Sequence, residues 1–353
     1  MHVEVVPATG DVAGAVQGLS VVPAETLARW SLSGGIQVGS LVLARRDGAV
    51  VAAAFEVHRP LAAYRKIVEV WADEPGAAEA VVSEIEARAW REGAVAVKWE
   101  FRSRDEAGWA IAAARGYSEL PVPELGGPVA GPYRRPTGFG RVLWQDGRPS
   151  RIPYMRQTTD FTCGPVALQM GLAALGLADA PTRAEEMRLW RTATTVGGCD
   201  PLGLGVAAAL RGAEPEVVMS TEAPTLLELC QTDEERDLRG FLQAEFRAEL
   251  IGRGRPARTE VFDLDTIREG LQNGAVALVL IEQLGMHAEA SPHWITVHGM
   301  AGEVFLAHDP WTDAHLGESF VDAVDLPLPP ATLDRLAWYG HPAYRGLVLL
   351  HRP

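Results

Sequence analysis

Apolar positions in the first half of the chain come in short runs and then recur at helical spacing. Leu41 to Arg45 and Val50 to Val57 are strand-like runs meeting at Asp47-Gly48, a pair that accepts the left-handed backbone of a tight hairpin turn. Ile67 to Trp71 reads as a third strand. Gly76 to Glu92 then sets Ala77, Val81, Val82, Ile85 and Ala89 on one helical face and stops at Gly93. Val95 to Phe101 is a further strand, and Ala107 to Ala114 a short helix stopped by Arg115-Gly116. From Leu120 to Arg151 the pattern dissolves. Pro121, Pro123, Gly126-Gly127-Pro128, Gly131-Pro132 and Arg134-Arg135-Pro136 mark extended chain, with Gly140 to Trp144 as one last strand.

The second half opens on Gln157-Thr-Thr-Asp-Phe-Thr-Cys163-Gly164-Pro165 and an apolar helix from Val166 to Leu175. Arg183 to Thr192 is a second helix. Thr194 to Gly203 is a glycine-rich loop around Gly197-Gly198-Cys199, and Val206 to Leu210 returns to helix. Glu216 to Met219 is a strand. Thr225 to Ile251 is a long charge-studded helical region broken near Thr232-Asp233, read as a solvated face. Asp265 caps a helix over Thr266 to Leu271. Ala275 to Ile281 is an apolar run of the kind found in strands buried on both faces. Two further runs, His293 to Val297 and Glu303 to Ala307, flank a glycine-containing turn and make a hairpin.

The 353 residues suggest two domains, 1–148 and 149–353. With 47% hydrophobic and 22% charged residues the chain is of the soluble globular class. A net charge of −14 argues against a nucleic-acid backbone or an anionic membrane as partner. Cys163, Cys199 and Cys230 are odd in number and widely spaced, so no disulfide framework is expected. The chain has no short Cys-x-x-Cys or His-x-x-x-His pair, and neither a metal nor another cofactor is expected. No run of about 18 apolar residues is present, and the N-terminus lacks a signal-peptide pattern, so a cytoplasmic location is expected. Oligomeric state stays open.

Cys163 changes this picture. A thiol on the first turn of a helix feels the positive end of the helix dipole, which favours the nucleophilic thiolate. Such a nucleophile needs a base, and the base needs a third group to orient it. If the second hairpin turns near Ala301, residues whose numbers sum to about 602 lie opposite, with Cβ atoms about 5 Å apart. His293 and Asp309 meet that condition. His298 and His308 fall on the other side and read as structural or exposed, while nothing singles out His287 or His315 in their loops. The Cys163 amide and the Gln157 side chain are candidate oxyanion donors. Gly164, Gly198, Cys199 and Trp294 are candidate substrate contacts, Cys199 equally a packing residue.

In the first half, a hairpin followed by strand, helix, strand and helix resembles the GNAT acetyltransferase fold over residues 1–148. That family cradles a pyrophosphate with an Arg/Gln-x-x-Gly-x-Gly/Ala loop. Here the matching segment is Ala72-Asp73-Glu74-Pro75-Gly76-Ala77, with one glycine, a proline lacking an N–H and two carboxylates that repel an anion. The expectation is a degenerate GNAT-like α/β domain without an acetyl-CoA site, used to read substrate or to cover the second domain.

In the second half, Gln157, Cys163-Gly164-Pro165, His293-Trp294 and Asp309-Pro310 resemble the peptidase C39-like family, within the papain-like cysteine peptidases, over about residues 151–352. Pro153 to Thr159 and Gly197-Gly198-Cys199 match the branch that shares Pro-Tyr-x-x-Gln-Thr-Thr and Gly-Gly-Cys, some of whose members also carry a GNAT-like domain. The resemblance implies an α+β chain with Cys163 as nucleophile, His293 as base, Asp309 as orienting acid and Gln157 as oxyanion donor. It implies a cysteine hydrolase acting on a peptide or amide. An amide-forming transferase working through the same thioester, and a non-catalytic peptide-binding protein, stay open beside it; acetyl transfer comes third.

Overall fold

The fold is that of a computed structural model describing residues 1–8, 19–31, 36–123, 138–147, 149, 151–194 and 196–353. The expected extended positions Gly126-Gly127-Pro128, Gly131-Pro132 and Arg134-Arg135-Pro136 lie outside the described residues. Helices and strands are mixed, as in an α+β chain, and among the described residues the strands form two seven-stranded sheets.

The first sheet contains β1 (His2–Pro7), β2 (Val38–Arg46), β3 (Ala49–His58), β4 (Tyr64–Ala72), β5 (Ala96–Phe101), β6 (Ser118–Glu119) and β7 (Phe139–Trp144), in the order β1-β2-β3-β4-β5-β7-β6. Asp47 and Gly48 turn the β2–β3 hairpin with φ of 53° and 85°, the backbone that an Asp-Gly pair suits. Helix Pro75–Arg91 buries Ala77, Val81, Val82, Ile85 and Ala89 completely, the face its periodicity marked. Parallel strands β4 and β5 pair only from Tyr64–Ile67 to Ala96–Trp99. Past that point a cavity of about 540 Å³ is lined by Val70, Trp71, Asp73, Glu74, Trp99 and Ile111 among others.

The second sheet contains β8 (Glu214–Met219), β9 (Arg258–Thr259), β10 (Val276–Glu282), β11 (Pro292–Ala301), β12 (Val304–His308), β13 (Leu326–Leu328) and β14 (Gly346–His351), in the order β13-β12-β11-β10-β14-β8-β9. β10 is central, flanked by β11 and β14, and Val276 to Ile281 are all buried, so an unbroken apolar run fits. Helix Cys163–Ala174 packs across β10 and β11. Two boundaries differ from the sequence reading. The loop after Thr194 ends at Asp200, because its carboxylate caps a helix from Pro201 by accepting the Leu202 and Gly203 N–H groups. The helix Leu264–Gln272 is capped by Asp263, not Asp265.

The sheets are joined through core and charge. Tyr64, Ala96, Leu120 and Val142 share one apolar cluster with Ile295, Phe320 and Val321. Buried Lys66 reaches Asp322 at 2.5 Å, and buried Lys98 donates to the carbonyls of Val321 and Val324 at 2.8 and 2.6 Å. Among the described residues no helix is long and apolar enough to cross a membrane.

Candidate active site

Cys163 is the first residue of its helix and is 8% exposed. The approach loop is pinned by a residue the sequence reading passed over. Glu186, fully buried on helix Arg183–Ala193, accepts the Thr158 N–H at 2.8 Å and the hydroxyls of Thr158 and Thr162 at 2.6 and 2.5 Å. Burial holds its carboxyl group above the usual range, with those donors offsetting only part of the rise. On the other side Gln157 N–H bonds Pro310 O, while Arg156 grips Thr312 through its hydroxyl and carbonyl at 2.8 Å each. The loop that carries the thiol is thereby laid along the segment that carries Asp309.

His293, the second residue of β11, donates its Nε2–H to Asp309 Oδ1 at 2.7 Å, leaving Nδ1 for the thiol. Burial works against the charged ring. Asp309, by charge and hydrogen bond, and then the nearby Cys163 thiol outweigh it, and the ring is raised to about 10. The structure thus brings Cys163, His293 and Asp309 together. The register differs from the simple count. Thr296 faces His308 and Val297 faces Ala307, then a bulge at His298 shifts the ladder, so Gly299 faces Leu306. Asp309 follows β12 and sits diagonally from His293. The pair meets because a diagonal neighbour is still within side-chain reach.

His287, which the sequence did not single out, ends the short helix Leu284–His287 and donates its Nε2–H to Asp309 Oδ2 at 2.7 Å. Asp309 therefore lies between two imidazoles. Burial disfavours its charge, but both rings hold the carboxyl well below the usual range. His298 and His308 gather instead around Asp325, with ring centroids 4.4 Å apart. Burial, with the His298 ring beside it, pushes His308 down to about 3, consistent with a structural histidine. Each trio, His287-His293-Asp309 and His298-His308-Asp325, holds its ligand-type atoms within 4.8 Å of one another. In the first trio both carboxylate oxygens already accept ring protons, so hydrogen bonding accounts for the spacing.

Gln157 is 2% exposed and gives one N–H to Thr159 O at 2.8 Å, while its Oε1 has no partner among the described residues. The amide keeps a second N–H. If that proton serves the oxyanion, Gln157→Ala lowers kcat by about 10²–10³-fold with little change in KM, measured by steady-state kinetics. An unchanged kcat would leave Gln157 as a loop brace.

The candidate substrate contacts sit at and beneath the start of the Cys163 helix. Trp294 and Cys199 are each 2% exposed, and Trp294 Nε1–H donates to Cys199 O at 2.8 Å. A Cβ at Gly164 would lie 3.2 Å from both side chains, so these three pack together beneath the helix start. Burial above all, with Cys163 nearby, raises the Cys199 thiol well above its usual value. Gly198 turns the loop at φ 75° and stays partly exposed. The helix Asp233–Gly252, expected as a solvated face, buries Arg239, Gln243 and Leu250, and Arg239 donates to the Gly197 and Gly198 carbonyls. It holds the Gly-Gly-Cys loop.

A family model described as Peptidase C39-like matches residues 152–351. A search of the curated proteins found no match. Among solved structures, the chain is similar to a tandem GNAT protein from the clavulanic acid biosynthesis pathway, at 14% identity and TM-score 0.27. That match covers 35% of this chain and 46% of the other, under half its length. It is similar to the ribosomal-protein-S18-alanine N-acetyltransferase from Escherichia coli, at 13% identity and TM-score 0.26, covering 37% and 81%. It is also similar to a GNAT family acetyltransferase from Elizabethkingia anophelis with acetyl-CoA bound, at 11% identity and TM-score 0.29, covering 40% and 97%.

Proposed function

Because the chain belongs to the Peptidase C39-like family, we propose that it is a cysteine hydrolase that opens a peptide or amide bond through a thioester on Cys163. One observation carries this reading. A cysteine at a helix start lies beside an imidazole, close enough to favour its charged form, and that imidazole is held through Nε2 by a buried carboxylate at 2.7 Å.

The Cys163 sulfur attacks the substrate carbonyl carbon, and the oxygen takes the negative charge. The Cys163 N–H, in the first turn and so without an intrahelical acceptor, and the free Gln157 N–H face that charge. His293, protonated up to about pH 10, gives its proton to the leaving amine as the C–N bond breaks. Water then attacks the thioester, His293 takes its proton, and the sulfur leaves with the bonding pair. An amine in place of water makes a new amide, so the same thioester serves transfer. The catalytic unit is 149–353. Residues 1–148, with Asp73 and Glu74 at the cavity beside β4, form a unit without an acyl-CoA role.

The test is intact-mass labelling with iodoacetamide across pH. Cys163 is expected to alkylate at a fast rate well below the pH of about 8.5 at which an ordinary thiol ionises, and His293→Ala to remove that advantage. Cys199 and Cys230, also free and buried, stay unlabelled. A wild-type Cys163 that reacts no faster than a free thiol at low pH overturns the reading. Mass analysis of a peptide library, with and without added amine, separates hydrolysis from transfer.

A further inference from the structure

Asp309 is the last member of the triad but not the end of the chain of contacts. Its Oδ2 accepts the His287 Nε2–H at 2.7 Å, and His287 Nδ1 lies 3.4 Å from Glu318 Oε2. Glu318 Oε1 lies 2.8 Å from Arg59 Nη2. Arg59 follows β3 and belongs to the first sheet's half of the molecule. Arg59 and Asp309 are wholly buried, and His287 and Glu318 are each 5% exposed. Six groups thus alternate in character from Cys163 through His293, Asp309, His287 and Glu318 to Arg59.

A buried ion pair is poor evidence of stability, because desolvating both charges offsets most of their attraction. No Arg59 nitrogen makes a hydrogen bond among the described residues, and Nη2 meets Glu318 as an ion pair. Retaining such an arginine therefore calls for a role in orientation. The same half also fixes the segment that carries Glu318. Lys66 and Tyr64 hold Asp322, Ser319 donates to Glu100 at 2.9 Å, and Lys98 takes two carbonyls of the same stretch.

Resting on the hydrolase reading above, we infer that His287, Glu318 and Arg59 are positioning residues that hold Asp309 against His293, and that the first half of the chain completes the active site by supplying Arg59. The electrostatics agree. The groups facing His287 are Asp309, Glu318, Arg59 and the His293 ring 5.7 Å away. Burial opposes its charge, yet Asp309 and then Glu318 raise it above the usual imidazole value. Glu318, despite burial, is lowered by Arg59 and His287. His287 thereby presents a fixed N–H to Oδ2 while Oδ1 serves the base.

The full-length protein tests this with the same iodoacetamide labelling, read as the pH at which Cys163 reaches half its maximum rate. Wild type and His293→Ala come first, and a failure there removes the hydrolase reading itself. Given an activated wild type, His287→Gln and Arg59→Met each remove a positive group and loosen Asp309. The half-rate pH is expected to rise by about one unit in His287→Gln, a reaction about tenfold slower at pH well below the wild-type midpoint, and by less in Arg59→Met. Arg59→Lys restores most of the wild-type value. A purely structural role lowers the melting temperature and leaves the half-rate pH in place. Should His287→Gln fail to fold, the Arg59→Met and Arg59→Lys pair carries the reading. A half-rate pH within about 0.2 unit of wild type in the folded variants overturns the inference.

Discussion

Cys163→Ala is expected to lower kcat by about 10⁶-fold on whatever amide the wild type cleaves, and His293→Ala by nearly as much. The effects should not add. Without the base the thiol no longer presents an activated sulfur, and without the sulfur the base has nothing to activate, so the double variant should match either single one. Residual turnover of about 10³–10⁴ over water would come from the Cys163 N–H, Gln157 and binding. The measurement is steady-state kinetics on the best peptide from the library, with mutants purified free of wild-type carry-over. Cys163→Ala removes one sulfur from a helix whose other buried residues, Val166, Ala167, Leu168 and Met170, are untouched, so the fold should hold. A folded Cys163→Ala protein with undiminished turnover would place the chemistry elsewhere in the chain.

The positions that make this site were legible to different degrees, for physical reasons. Cys163 announced itself because a cysteine before Gly-Pro at a helix start is a local pattern, and the helix formed where the apolar run stood. His293 and Asp309 were found through hairpin parity, which survives only an even slip: the turn falls beyond Ala301, the bulge at His298 takes one residue back, and the net shift of two leaves the pair diagonal neighbours on one face. His287 was invisible. It lies in a four-residue helix after β10, and only the tertiary path of Asp309 brings it into contact. Glu186 and Arg59 were hidden for the same reason. One is a carboxylate in an ordinary amphipathic helix, the other an arginine after an apolar strand, and neither residue type predicts burial. A retained charge with near-zero exposure is a signal that appears only when the chain is folded.

Asp309→Ala is expected to reduce kcat by about 10⁴-fold, and Asp309→Asn by at least about tenfold less. The asymmetry comes from a third donor. Asp309 Oδ1 accepts the Trp311 N–H at 2.9 Å as well as the His293 Nε2–H, whereas Oδ2 accepts His287. An asparagine here keeps its oxygen where two N–H groups converge and turns its amide nitrogen toward His287. His293 then retains the tautomer that leaves Nδ1 free to face the thiol. His287 must instead accept at Nε2 and carry its proton on Nδ1, beside Glu318, 3.4 Å away. What the asparagine loses is the carboxylate charge that counters burial and keeps His293 raised to about 10. The high-pH limb of kcat/KM, set by loss of the His293 proton, should move toward the ordinary imidazole value. In the alanine variant both rings lose their acceptor, and base geometry is lost along with charge. Equal losses for asparagine and alanine would mean that the amide turns round and that Trp311 does not set its direction. Full activity in both would remove Asp309 from the machinery.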